Sequence, residues 1–271
     1  KDTLRALLSR IDPAFTLPHL FQIIKSGYSE YSSPVQEEAL KVLCELKLPY
    51  AVQHILEHLP ILSLSQSYRY ADLISSYNGD TYRARVDYLL DGHDARIRSR
   101  IISSLPKSYF PVFHDRILAS LTDPDPEVRS AVGWSLMSQG GEEDRPKVIS
   151  LFHDPIHTVR VETGKAVATY AASDQKKALE ELLHDSNELI PVKRSAIEGL
   201  AESKDIDSID ILVHLLMEES ELENTVLTAL SYKNGTSMIK RILSHVKKAD
   251  SRIRSLLVQV LKSMGESAET A

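Results

Sequence analysis

One motif returns along this chain at an almost constant interval. Asp123–Leu136 reads DPDPEVRSAVGWSL, and Asp154–Val167 reads DPIHTVRVETGKAV. In both, an apolar residue precedes Arg, and a second apolar residue follows eight places later. Taken as an anchor, that first residue recurs as Ile97, Val128, Val159, Val192, Leu222 and Ile253, at intervals of 31, 31, 33, 30 and 31 residues. The next position holds Arg98, Arg129, Arg160, Lys193, Glu223 and Arg254, and the eighth holds Leu105, Leu136, Val167, Leu200, Leu230 and Leu261. A fixed period of this length is the mark of a repeat architecture, in which each unit shelters its neighbour's apolar face.

Spacings of four and eight place these residues on one face of an α-helix, within about 80° of one another at 3.6 residues per turn. A second amphipathic stretch precedes each copy, as in PVFHDRILASL, DQKKALEELL and SMIKRILSHV. Each unit therefore reads as two antiparallel helices. Pro124, Pro126, Pro155 and Pro191 stand in or beside the turns, where a missing N–H costs little. Asp123, Asp154, Asp185 and Asp250 are placed to cap the helix or turn that follows. No run of strict polar–apolar alternation occurs, so the expected fold class is all-α.

These two stretches resemble the second helix of HEAT repeats, close to the short HEAT-like type of the phycobilin lyases. The resemblance covers residues 90–262 well and 15–89 loosely. It implies a right-handed α-solenoid of about eight helical hairpins whose second helices line an inner surface. It also implies a ladder in which Arg98, Arg129, Arg160 and Arg254 bond turn carboxylates such as Asp123, Asp154 and Asp185. Lys193 and Glu223 depart from that pattern, which predicts looser or different bonding near 220–235.

The expected organisation is one continuous solenoid, with irregular repeats over 1–89, regular repeats over 90–262 and a polar tail over 263–271. A seam between 76 and 81 is also expected, at SSYNGD. The opening KDTLRALLSR keeps helical spacing from its first turn, which reads as a piece cut from a longer polypeptide. The net charge of −6 and the mixing of acids with bases argue against a nucleic-acid partner, which calls for a basic stripe. No apolar run approaches the eighteen or so residues that cross a bilayer. The single cysteine, Cys44, cannot form an internal disulfide and points to a reducing, cytoplasmic compartment.

Candidate sites follow from the same angular arithmetic. The repeated arginines lie at the edge of the apolar arc, where a guanidinium can bond the neighbouring turn. Positions two and six past each anchor face away from the core and include Trp134, Val161, Lys165, Arg194, Glu198, Asn224, Thr228, Ser255 and Gln259. Trp134, the only tryptophan, beside Val161 and Lys165 reads as an interface anchor or as sideways packing on the next helix. Tyr70 belongs to an early tyrosine cluster that suits either an interface or irregular packing, and it is carried as a partner-binding candidate. Four His-Asp pairs occur, but there is no His-Glu pair of the kind that HEAT-type hydroxylases use for metal. Nothing assembles a nucleophile with a base, and no glycine loop cradles phosphate.

The leading expectation is thus a non-catalytic scaffold, monomeric and without cofactor, that binds a protein, peptide or helix. A second reading takes Trp134, Lys165, Arg194 and Glu198 as the groove of a HEAT-like DNA glycosylase. A third is a HEAT-like phycobilin lyase, for which no pigment pocket is legible. A fourth makes the chain a regulatory module of a larger protein.

Overall fold

The structure, a computed structural model, describes residues 18–23, 33–45, 49–77, 79–170, 175–218 and 221–269. Among these residues the secondary structure is helical, with no strand. The chain divides into two compact units, Lys1–Val132 and Gly133–Ala271. Neither the expected seam at 76–81 nor the change in repeat regularity at 89/90 marks that division.

In the first unit, α1 (Ser33–Glu45), α3 (Leu64–Tyr77) and α5 (Ala95–Ser104) pack in succession, and α2 (Pro49–His58) packs on α4 (Gly79–Leu90). α6 (Phe110–Ala119) is joined to α4 by Arg116, which donates to Asp87 at 3.0 Å and to Asp91. Helix α7 (Pro126–Gln139) follows. In the second unit, the short α8 (Arg145–Ile149) precedes α9 (His157–Tyr170). Then come α10 (Lys176–His184), α11 (Ile190–Glu202) and α12 (Ser208–Leu216). The last are α13 (Glu223–Ser231), α14 (Thr236–Lys248) and α15 (Ser251–Glu269). Here α9, α11, α13 and α15 pack in succession, while α12 packs on α14. Within each unit, then, helices two apart in sequence are neighbours in space.

The repeat explains that order. Val128, Val159, Val192, Leu222 and Ile253 are buried, as are Leu105, Leu136, Val167, Leu200 and Leu230 eight residues after their anchors. Only the first anchor, Ile97, and the last eighth residue, Leu261, are half-buried. Each turn is closed by its aspartate. Asp123, Asp154 and Asp185 accept from the backbone N–H two residues on, all at 2.9 Å, and Asp250 accepts from that of Ile253 at 2.9 Å. Gly235, with φ of 104°, leads into α14 in a conformation that side chains disfavour.

The arginine after each anchor binds its own turn, and Arg98 and Arg160 also bind a later one. Arg98 donates to the carbonyl of Gly92 at 2.7 Å and grips Asp123 with two N–H groups at 2.9 and 3.1 Å. Arg160 donates to the carbonyl of Asp154 at 2.8 Å and grips Glu188 at 2.9 and 3.1 Å. Arg129 reaches the carbonyl of Asp123 at 2.8 Å, and Arg254 that of Ala249 at 2.7 Å. Glu223 holds a rung of inverted polarity, because it accepts from Arg252 of α15. The departure at Glu223 therefore reverses the charges of a contact between adjacent units and keeps the contact.

One expectation is corrected. Tyr70 is only 3% exposed in α3, where its ring fills the core between helices, so it presents nothing to a partner. The residues read as a polar tail from 263 continue α15 as far as Glu269. Cys44 sits within α1, but its side chain lies outside the described residues, as do Tyr28 and Tyr31.

Gly199 lets two helices approach closely. A Cβ there would stand 2.5 Å from the Lys165 carbonyl oxygen and 2.9 Å from the Ala168 Cβ, so α9 and α11 meet backbone to backbone. Alanine in place of Gly199 should gain about 1 kcal/mol in helix propensity. It should lose about 2–3 kcal/mol by forcing the helices apart. The expected net loss of about 1–2 kcal/mol can be read from urea unfolding, and a stabilised Gly199→Ala variant would contradict this packing.

Candidate functional site

The difference between adjacent helix pairs makes the site. Where Gly199 draws α11 onto α9, the residues between α11 and α13 are too small to fill the space. Ala201, Thr225 and Ala229 are buried or half-buried there, and a groove of about 710 Å3 opens above them. Lys165, Arg194 and Glu198 line it, so three of the six residues singled out as partner-binding come together at one place. Asn224 and Thr228, from the same angular rule, line it from α13. A second hollow of about 180 Å3 lies between α13 and α15, lined by Thr228 and Gln259 among others.

The rim carries mixed charge. Lys165 Nζ lies 3.3 Å from Glu202 Oε1, with both side chains partly exposed. Such a pair contributes little to stability and can open to a ligand. Arg194 and Glu198 are exposed and, among the described residues, form no ion pair. Arg194 is thus free to grip a carboxylate through two N–H groups. Tyr232, at 68% exposure, adds a large ring and a hydroxyl to the rim. A tyrosine standing in water above a floor of alanine and threonine offers apolar area with little rotamer entropy to lose.

Trp134 and Val161 lie outside this groove. Trp134 is half-buried; its Nε1 donates to Glu162 Oε2 at 2.9 Å, and its ring meets Tyr170 edge-on at 6.2 Å. It therefore packs sideways on α9, and Val161 is half-buried on the same helix. Arithmetic from each anchor missed Tyr232, Ala201 and Thr225. They sit ten, nine and three residues past their anchors, at positions that matter only where two helices stand apart. The exposed tyrosine at a helix C-cap was the one available signal.

Among the residues that line the groove, no nucleophile stands paired with a base. Among the described residues, no group of three His, Cys, Asp or Glu side chains is placed to hold a metal ion. Two His-Asp pairs are engaged locally. His114 Nδ1 lies 3.3 Å from Asp115, while His184 contacts the Glu180 carbonyl at 2.6 Å and Glu218 at 2.8 Å. Among the described residues no helix is long and apolar enough to cross a membrane. No protein-family model matches the chain, and no curated protein matches it either.

Proposed function

We propose that this chain is a right-handed α-solenoid of about eight HEAT-like helical pairs that acts as a non-catalytic scaffold. It takes a peptide or helix in the groove between α11 and α13. The packing of alternate helices within each unit supports the repeat reading. The groove itself carries the functional one: a small-residue floor, an exposed tyrosine, and Arg194 and Glu198 on one helix face without ion-pair partners among the described residues. The single cysteine favours a reducing, cytoplasmic setting, and the scaffold is read as a monomer.

Peptides selected from a random library against the immobilised chain test this. Their affinity should fall at least tenfold, about 1.4 kcal/mol, in Tyr232→Ala and in Arg194→Glu. Both positions are exposed, so melting should stay unchanged. Trp134→Ala should leave the affinity of the same peptides within twofold. The reading fails if selected peptides bind the groove variants as tightly as the parent. It fails equally if none is enriched and duplex DNA binds instead, with the steep salt dependence of phosphate contacts.

A further inference from the structure

The last helical pair, α14 and α15, is held to the preceding one along a single side. From α14, Arg241 Nε donates to Asp210 Oδ1 at 2.8 Å, and His245 Nε2 lies 2.6 Å from the same oxygen, so this flank faces α12. From α15, Arg252 reaches Glu223 on α13. At 100° per residue, Ile239 and Leu243 stand about 160° from Arg241, on the opposite flank of α14. They are 36% and 42% exposed. Val258, about 120° around α15 from Arg252, is 37% exposed.

One repeat earlier, the contrast is plain. Leu212 stands 31 residues before Leu243 and is wholly buried, on a helix that has α14 as its next neighbour. Leu243 occupies the matching place on α14 and, among the described residues, stands exposed. The flank therefore presents the face with which its counterpart receives a helix.

Charge identifies which kind of helix. Lys247 and Lys240 border the apolar flank, about 40° and 60° around α14 from Leu243, and Lys262 lies about 40° from Val258. All three are exposed. Between Thr236 and Gly265 there are seven Lys or Arg residues and one acid, Asp250, in a chain whose net charge is −6. Asp250 is occupied in capping the Ile253 N–H. An aliphatic stripe bordered by lysines complements an aliphatic stripe bordered by carboxylates. Three aliphatic side chains without an aromatic ring are, by contrast, a poor wedge for a lipid interface.

We infer that the outward flank of α14 and α15, with Ile239, Leu243 and Val258 at its centre and Lys240, Lys247 and Lys262 at its border, docks an acidic amphipathic helix. This surface is separate from the groove between α11 and α13, and the inference does not depend on that groove. The probe is a synthetic helical peptide of about twenty residues with leucines at i, i+3, i+4 and i+7 and glutamates beside them. Its counterpart carries lysines in place of the glutamates. Titrated against the full chain by fluorescence anisotropy, the acidic peptide should bind and the basic one should not, and affinity should fall as salt rises. Leu243→Asp and the double change Lys240→Glu with Lys247→Glu should each weaken binding at least tenfold. These side chains are exposed, so the melting curve should not move, whereas Tyr232→Ala should leave binding unchanged. Failure of the acidic peptide to bind up to 1 mM overturns the proposal. So does preferential binding to vesicles of anionic over neutral lipid in a Leu243-dependent way, or concentration-dependent self-association that Leu243→Asp abolishes.

Discussion

Replacing Asp123 with alanine should lower the unfolding free energy by about 3–4 kcal/mol, seen as a drop in the urea midpoint without a change in slope. The carboxylate has two roles. It accepts the Asp125 N–H at 2.9 Å, closing its own turn, and it takes two N–H groups of Arg98 across 25 residues of sequence. The side chains of the pair are 12% and 11% exposed, so the guanidinium left behind would lose its counter-ion in a place that water reaches poorly. Breaking one side of such a pair costs far more than the intact pair contributes. Asparagine at 123 separates the roles, since its amide oxygen can still accept the Asp125 N–H while the charge is gone. The Asn variant should therefore recover about 1 kcal/mol of the alanine loss. Asp91 supplies the control, because its contact with Arg116 is equally direct but its side chain is 75% exposed. Asp91→Ala should cost less than about 1 kcal/mol. If Asp123→Ala costs no more than Asp91→Ala, the arginine ladder does not hold the units together.

That contrast shows what the sequence could reveal. The apolar anchors were legible because burial repeats every 3.6 residues within a helix and every 31 or so between units, and both periods survive in one dimension. The capping aspartates were legible because a side chain that bonds an N–H two or three residues on is a local event. Lys165, Arg194 and Glu198 were legible for the same reason, as residues turned away from the core of their own helices. The groove they line was not. Its volume depends on Gly199 drawing α11 toward α9 while Ala201, Thr225 and Ala229 fail to fill the next gap, a difference between pairs of helices. Tyr70 misled because the early repeats are degenerate, and a one-residue shift of register turns a tyrosine from solvent to core. The partner of Glu223 escaped notice because Arg252 precedes its anchor where other rungs use the residue after it.

Lys233 was missed for a different reason, since a lysine in a sequence reads as a solvated charge. Here it is 2% exposed, and its ammonium donates to the Ser203 carbonyl 30 residues earlier. Burial pulls its pKa down to about 8, although the nearby Asp205 charge opposes the shift. In the unfolded chain the same group titrates at about 10.4. Below about pH 8 both states carry the proton, and the folded state bears the full cost of an enclosed cation. Between about pH 8 and 10.4 the unfolded chain binds more protons than the folded one, so stability must rise with pH. A shift of this size corresponds to about 3 kcal/mol over the whole window, of which about 2 kcal/mol should appear between pH 7.5 and 9.5. Tyr82 limits the useful range from above. The residue is 1% exposed, and its hydroxyl is pushed up by burial, then by Tyr109 and Asp72, so its contribution is lost once unfolded tyrosine ionises near pH 10. Urea titrations at pH 7.5, 8.5 and 9.5 should therefore show the parent gaining stability stepwise. Lys233→Met removes the titration but orphans the Ser203 carbonyl, so its stability at pH 7.5 reflects two opposed terms of about 1–3 kcal/mol each. Its pH profile does not share that ambiguity and should be flat to within about 0.5 kcal/mol. A parent profile equally flat would mean that Lys233 keeps its ordinary pKa, and with it enough water to be no buried charge at all.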